Sequence, residues 1–128
     1  MSEATDPLAE TLLAKAAEDE AVLQLDQVPT GPFGFHAQQA VEKLLKALLA
    51  QLGIRMDRTH DVRKLASRLE EADEVLPIVP IPLSDLNQFA VVYRYDSIPD
   101  VEIPDRMEAI ETVRLIREYV VARIRGLS

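Results

Sequence analysis

The sequence predicts an all-α protein, an antiparallel up-and-down bundle of four or five helices. Apolar residues recur at spacings of three and four in five separate segments, and no segment of useful length alternates as a strand would. Prolines or glycines interrupt the chain between those segments. A chain of 128 residues fits one domain. Helices joined by short connections pack antiparallel, so we expect a single helical domain over residues 1–128.

The first two helices are predicted over residues 7–25 and 33–52. Asp6 is placed to cap the first helix, and Pro7 suits the first helical position, where a missing amide hydrogen costs nothing. Residues 28–32 (Val-Pro-Thr-Gly-Pro) are predicted to form a turn. The second helix carries one apolar stripe, widened enough to pack on more than one neighbour, and the stripe consists of Ala37, Val41, Leu44, Leu48 and Leu52.

The remaining helices are predicted over residues 61–73, 83–95 and 104–125. Either Thr59 or Asp61 is expected to cap the third helix, and Pro104 is expected to open the fifth. Residues 76–82 hold three prolines, which exclude both a helix interior and a central strand. An extended connection is therefore predicted there.

Composition excludes several classes of protein. There are no cysteines, so disulfides, thiolate zinc sites and cysteine nucleophiles are ruled out. No apolar run approaches the roughly 20 residues that cross a bilayer, and the acidic start of the chain does not resemble a signal peptide. Glycine-rich phosphate loops and histidine pairs with metal spacing are also missing. We therefore expect a cytoplasmic protein that needs no cofactor.

Charge is distributed unevenly along the chain. The net charge of −8 argues against non-specific binding to a nucleic-acid backbone. Residues 43–68, however, contain seven bases and two acids, which gives 7 − 2 = +5. Whether this basic span forms one anion-binding surface or a solvated, ion-paired one is left open by the sequence.

Three motifs in order resemble one family of helical domains. Residues 35–49 contain Ala-Gln-Gln-Ala-Val-Glu-Lys, residues 59–62 read Thr-His-Asp-Val, and residues 93–96 read Tyr-Arg-Tyr-Asp. Together they resemble the HEPN domains, helical bundles associated with nucleotides and RNA. The resemblance implies a homodimer. It also implies a small nucleotidyltransferase partner, in some cases within a toxin–antitoxin pair.

Five residues are candidates for binding a nucleotide or another anion. Gln39, Lys43 and Lys46 share one face of the second helix, where two ammonium groups beside an amide suit a phosphate and a base edge. His60 lies near the start of the third helix, and Arg94 ends the fourth. A solvated helix face, a structural histidine and an arginine bound to terminal carbonyls are the plainer interpretations of the same residues.

Ribonuclease activity is the alternative function. Many HEPN ribonucleases carry an arginine, four to six further residues and then a histidine, but positions 99–101 after Arg94 hold Pro, Asp and Val. Arg55 and His60 match this spacing between the wrong helices, which we interpret as chance. A divergent ribonuclease would therefore have to bring His60 near Arg94 in space, with His60 moving protons and Arg94 stabilising phosphoryl charge.

We therefore expect a non-catalytic HEPN module that binds a nucleotidyltransferase partner, a nucleotide, or both. In some such pairs the transferase modifies a tyrosine near the arginine motif. By that resemblance, Tyr93 and Tyr95 are candidate acceptors.

Overall fold

The computed structural model describes residues 5–56, 58–94 and 105–127. These ranges hold five α-helices and no strand. The helices are α1 (Pro7–Leu23), α2 (Thr30–Gln51), α3 (Val62–Glu71), α4 (Leu83–Arg94) and α5 (Arg106–Leu127). The predicted all-α fold is confirmed. No helix within the described ranges is long and apolar enough to cross a membrane.

Helix α2 is the centre of the bundle. It contacts each of the other four helices, as the wide apolar stripe predicted. Its leucines are almost completely buried, and they belong to a single core that receives side chains from all five helices. Polar side chains on α2 can therefore reach groups on several neighbours, which is what organises the candidate site.

The start of α2 differs from the prediction. We predicted a turn over residues 28–32 and a helix from position 33, but the helix begins at Thr30 with Pro29 as its cap. The first amide groups of a helix have no intrahelical partner, so Pro32 removes no hydrogen bond there. The first intrahelical bond runs from the Phe33 amide to the Pro29 carbonyl, at 3.0 Å.

The other helix boundaries agree to within about two residues, as is usual for frayed ends. Asp6 caps α1 by accepting hydrogen bonds from the amides of Leu8 and Ala9. Asp61, and not Thr59, caps α3 by accepting from the amides of its second and third residues. Helix α1 ends two residues earlier than predicted, and α5 extends two residues further. Pro104 lies outside the described residues.

Two partly buried carboxyl groups that contact α5 have pKa values shifted in opposite directions. Glu20 on α1 meets Arg117 at 3.0 Å, and desolvation by burial raises the pKa of Glu20 despite that arginine. Glu74, which follows α3, accepts hydrogen bonds from Arg123 and Tyr119. The Arg123 hydrogen bonds hold the pKa of Glu74 below its ordinary value.

Opposite shifts predict opposite dependences of folding stability on pH. The stabilisation from Glu74 is present above the unfolded pKa of about 4.3 and is lost as pH falls through the lower folded pKa. That from Glu20 is present below about 4.3 and is lost as pH rises through the higher folded pKa. Urea denaturation at about pH 7 and about pH 3 should therefore show Glu74→Gln losing more stability at neutral pH. The free energy of unfolding of Glu20→Gln, relative to that of the wild type, should be higher at neutral pH than in acid. Equal pH profiles of the two variants would contradict the assignment.

Candidate functional site

Glu42 is a buried carboxylate at the centre of the polar face of α2. Its side chain is only 5 % exposed. It accepts hydrogen bonds from Lys46 Nζ at 3.0 Å and from Gln39 Nε2 at 3.3 Å. Its two oxygens lie 3.0 and 3.1 Å from His60 Nδ1. An ionised carboxylate only accepts hydrogen bonds, so Nδ1 is assigned the proton, and Nε2 is the second ring nitrogen.

His60 is held in place from two sides although its ring faces solvent. Glu42 holds the ring, and the side-chain amide of Gln38 donates to the His60 backbone carbonyl. The His60 side chain is nevertheless 81 % exposed. A buried carboxylate and a buried amide thus fix a loop histidine with its imidazole presented at the surface, an arrangement suited to contacting a ligand.

Asp61, the residue after His60, connects this site to α4 through a hydrogen bond with Asn87. Asn87 Nδ2 donates to Asp61 at 2.7 Å, and Asn87 Oδ1 accepts from the Val62 amide at 3.1 Å. Desolvation raises the pKa of Asp61, but hydrogen bonds from Asn87 and from the α3 backbone outweigh it and lower the pKa overall. The start of α3 is therefore fixed between α2 and α4.

Arg94 ends α4 seven residues after Asn87. At 3.6 residues per turn, that spacing puts both on the same face, about 10 Å apart along the helix. The side chains of Arg94 and Tyr93, and all of Tyr95, lie outside the described residues. The proximity of Arg94 to His60 that a ribonuclease would need therefore stays a prediction.

Lys43 belongs to a second, separate cluster. Its Nζ lies 2.6 Å from Asp19 on α1, and His36 Nδ1 lies 2.7 Å from the same carboxylate. The Asp19 side chain is 7 % exposed. Although Lys43 and Lys46 share a face of α2, the first is directed to α1 and the second to Glu42.

The basic span over residues 43–68 is divided by these contacts. Both of its lysines on α2 pair with buried carboxylates, and Arg63 pairs with Glu70 at 2.8 Å. Arg68 donates to the backbone carbonyl of Arg55. Arg58, His60 and Lys64 are exposed near the start of α3. The structure therefore places Gln39, Lys46 and His60 together and separates Lys43 from them.

Sequence reasoning missed the two organising carboxylates, Glu42 and Asp19. The signal for Glu42 was available, because Glu42 precedes Lys46 by four residues, the spacing at which such pairs form on a helix. Asp19 gave no comparable signal, since its partners lie 17 and 24 residues away. In the described part of the chain, no three histidine, aspartate or glutamate side chains are grouped closely enough to hold a metal ion.

Comparison with known proteins identifies the family. The model of the HEPN domain matches residues 9–124, which covers all of the described helices except the ends of α1 and α5. The chain belongs to the HEPN domain family, a family of nucleotide-binding and RNase-type domains. Comparison with curated proteins and with solved structures gave no significant match.

Proposed function

We propose that this protein is a non-catalytic HEPN module that binds a nucleotide at the surface formed by Gln39, Lys46 and His60. The observation that carries the proposal is the exposed imidazole of His60, fixed by the buried Glu42. A preorganised side chain loses little conformational entropy when a ligand binds. Structural histidines are usually covered by their neighbours, whereas this one presents its ring to solvent.

The local chemistry suits a phosphate with a neighbouring base or ribose. When the imidazole carries a proton on each nitrogen, His60 Nδ1 donates to Glu42 and Nε2 donates to a phosphate oxygen. Gln39 Nε2 already donates to Gln38 and Glu42, so its Oε1 remains to accept a hydrogen bond from a base or ribose edge. Lys46 is already paired with Glu42, so its charge is largely neutralised. Attraction for phosphate then comes mainly from the exposed Arg58 and Lys64 beside His60. Affinity should accordingly be modest and should fall with salt.

The family resemblance extends the proposal to a protein partner. A small nucleotidyltransferase that acts with this module, in the manner of a toxin–antitoxin pair, would supply the catalytic step that the module lacks. Tyr93 and Tyr95 would be the acceptors of the transferred nucleotide, and the module would act as a homodimer. Affinity purification of the tagged protein from its own cells, with intact-mass analysis, tests the partner and the modification together.

Nucleotide binding predicts a ligand-dependent melting temperature, because a ligand that binds only the folded state stabilises it. Across a panel of purine and pyrimidine nucleotides, at least one should raise the melting temperature of the full chain. His60→Ala should weaken binding of that nucleotide by about tenfold or more, since it removes a hydrogen bond to a charged group. Calorimetric titration at two salt concentrations measures the effect and its dependence on charge.

Lys15→Ala is the matched control, because Lys15 is an exposed lysine on α1, paired with Glu18. It should leave nucleotide affinity unchanged. A melting temperature that no nucleotide raises, or equal affinities of the His60 and Lys15 variants, would overturn the proposal.

A divergent ribonuclease is the second candidate, and the Glu42–His60 pair is the observation that favours it. A histidine oriented by a carboxylate is a suitable general base for attack by a 2′-hydroxyl. The same preparation should be incubated with labelled RNA in excess chelator. The ribonuclease proposal replaces the non-catalytic one if two results are obtained. The wild type must cleave RNA to leave 2′,3′-cyclic phosphate ends, and both His60→Ala and Arg94→Ala must lose that cleavage.

A further inference from the structure

Residues 74–82, which we term the connecting segment, join α3 to α4 along the surface of α5. At one end, Glu74 accepts from Tyr119 Oη at 2.8 Å and from two nitrogens of Arg123 at 2.7 and 2.8 Å. At the other, the Ile81 amide donates to Thr112 Oγ1 at 3.1 Å. Both ends are therefore attached to α5 although the segment has no helix or strand.

The entry to the connecting segment is also fixed. Asp73 adopts a left-handed conformation with φ of 67° just after α3. The amides of Asp73 and Glu74 bond to the carbonyls of Glu70 and Leu69, at 3.0 Å each. This bonding pattern is a Schellman motif, which sets the direction in which the chain leaves the helix.

The side chains of the connecting segment are divided between the core and the solvent. Leu76, Val79 and Ile81 pack against the core. Val75 and Ile78, by contrast, are 83 % and 96 % exposed. The prolines at positions 77, 80 and 82 restrict the backbone, so these two apolar side chains are displayed on a stiff support. Their exposure contributes nothing to the fold.

A groove lies beside the exposed side chains. It has a volume of about 520 Å³ and is bounded by Arg63 and Glu70 of α3, the connecting segment, the start of α4 and one residue of α5. Its apolar lining includes Leu76, Val79, Leu83 and Ile116. That volume accommodates a large side chain together with part of a backbone.

The border of the groove is acidic. The end of α3 carries four acids: Glu70, Glu71, Asp73 and Glu74. Glu70 and Glu74 line the groove and are already bound to two arginines, Arg63 and Arg123. The charge of −4 + 2 = −2 that remains therefore comes from Glu71 and Asp73, their neighbours in sequence. Glu71 and Asp73 are exposed. A binding partner that complements this border must be positively charged.

We propose that this face is a docking surface for a basic segment of a partner protein, which inserts an apolar side chain into the groove. Val75 and Ile78 pack against the rest of that segment, and its lysines or arginines face Glu71 and Asp73. A backbone that is held at both ends loses little entropy on binding, which favours such an interface. The exposed acids Glu71 and Asp73 lie at the end of α3, whereas His60 precedes its start, about 15 Å away along ten residues of helix. The docking surface is therefore distinct from the proposed nucleotide site.

This surface can be tested without assuming a partner. Random peptides displayed on phage are selected for binding to the immobilised full chain. Enriched peptides should be positively charged and should contain an aliphatic or aromatic residue. Ile78→Asp should weaken binding of the enriched peptide, once synthesised, by about tenfold or more. The double variant Glu71→Lys with Asp73→Asn should do the same, since asparagine also adopts the left-handed backbone conformation of residue 73. Because all three side chains are exposed, thermal melting should confirm that the variants remain folded.

Two exposed residues elsewhere provide matched controls. Leu25→Asp changes an apolar side chain that is 64 % exposed, and Glu18→Lys reverses an exposed charge on α1. Neither should alter peptide binding. The proposal is overturned if no peptide is enriched or if the enriched peptides are not basic. It is also overturned if those peptides bind the Ile78→Asp variant and the wild type with equal affinity. Loss of self-association by Ile78→Asp in sedimentation experiments would instead assign the surface to a second copy of this chain.

Discussion

Replacement of Gly34 by alanine is expected to destabilise the protein by about 2 kcal/mol. Gly34 lies in α2 where that helix meets α4, and a β-carbon there would lie 2.7 Å from Phe89 Cγ and closer still to Cδ1. Phe89 is 2 % exposed, so its ring has no free space into which to move. The overlap must separate the two helices or distort the ring, and either change disturbs the core.

The direction of this effect is opposite to the intrinsic preference of a helix, in which alanine is favoured over glycine by about 1 kcal/mol. Gly126→Ala in α5 is the matched control, because no atom lies within 4 Å of a β-carbon at that position. It should be neutral or slightly stabilising. Urea denaturation of both variants measures the difference, and equal stabilities would show that α2 and α4 are not closely packed at Gly34.

A double-mutant cycle locates the overlap. Phe89→Leu removes part of the ring and should itself be destabilising, but it also makes room for a methyl group on position 34. Gly34→Ala should consequently cost less in the Phe89→Leu background than in the wild type. Strict additivity of the two changes would assign the destabilisation to something other than Phe89.

Replacement of Glu42 by alanine is expected to cost about 2 kcal/mol. The change removes the acceptor shared by Lys46, His60, Gln38 and Gln39. Lys46 keeps partial access to water and His60 is largely exposed, so the loss should fall below that for a fully buried ion pair. Denaturant unfolding gives the cost, and Glu42→Gln, which keeps the shape without the charge, should lie between alanine and the wild type.

Glu70→Ala is the matched control for Glu42, because Glu70 also accepts from a cation but is exposed. Exposed pairs contribute about 0–1 kcal/mol, so this change should be nearly neutral. Hydrogen exchange should also distinguish the two, with faster exchange around His60 in the Glu42 variant alone. If Glu42→Ala and Glu70→Ala were equally stable, the network would not hold His60, and the proposed nucleotide site would lose its basis.

Local chemistry was sufficient to predict most of the helices. The stripe that runs from Ala37 to Leu48 predicted the buried side of α2, and these residues are indeed in the core. Asp6 and Asp61 have side chains that bond to amides two and three residues away, so their capping roles depend on neighbouring sequence alone. The start of α2 was misplaced because Pro32 resembles a helix breaker unless one knows that it lies in the first turn.

The sequence by itself determined the fold class, the approximate helices and the family, since each depends on periodicity or on motifs within short segments. Only the tertiary structure decided which charges face each other. Lys43 and Lys46 look equivalent on one helix, yet Asp19 on α1 takes the first and Glu42 takes the second. His60 becomes a site residue because the loop before α3 folds back over α2, where Gln38 and Glu42 bind it. Electrostatic partners depend on distance in space, and contacts between residues 17 to 24 positions apart are set by how the helices pack.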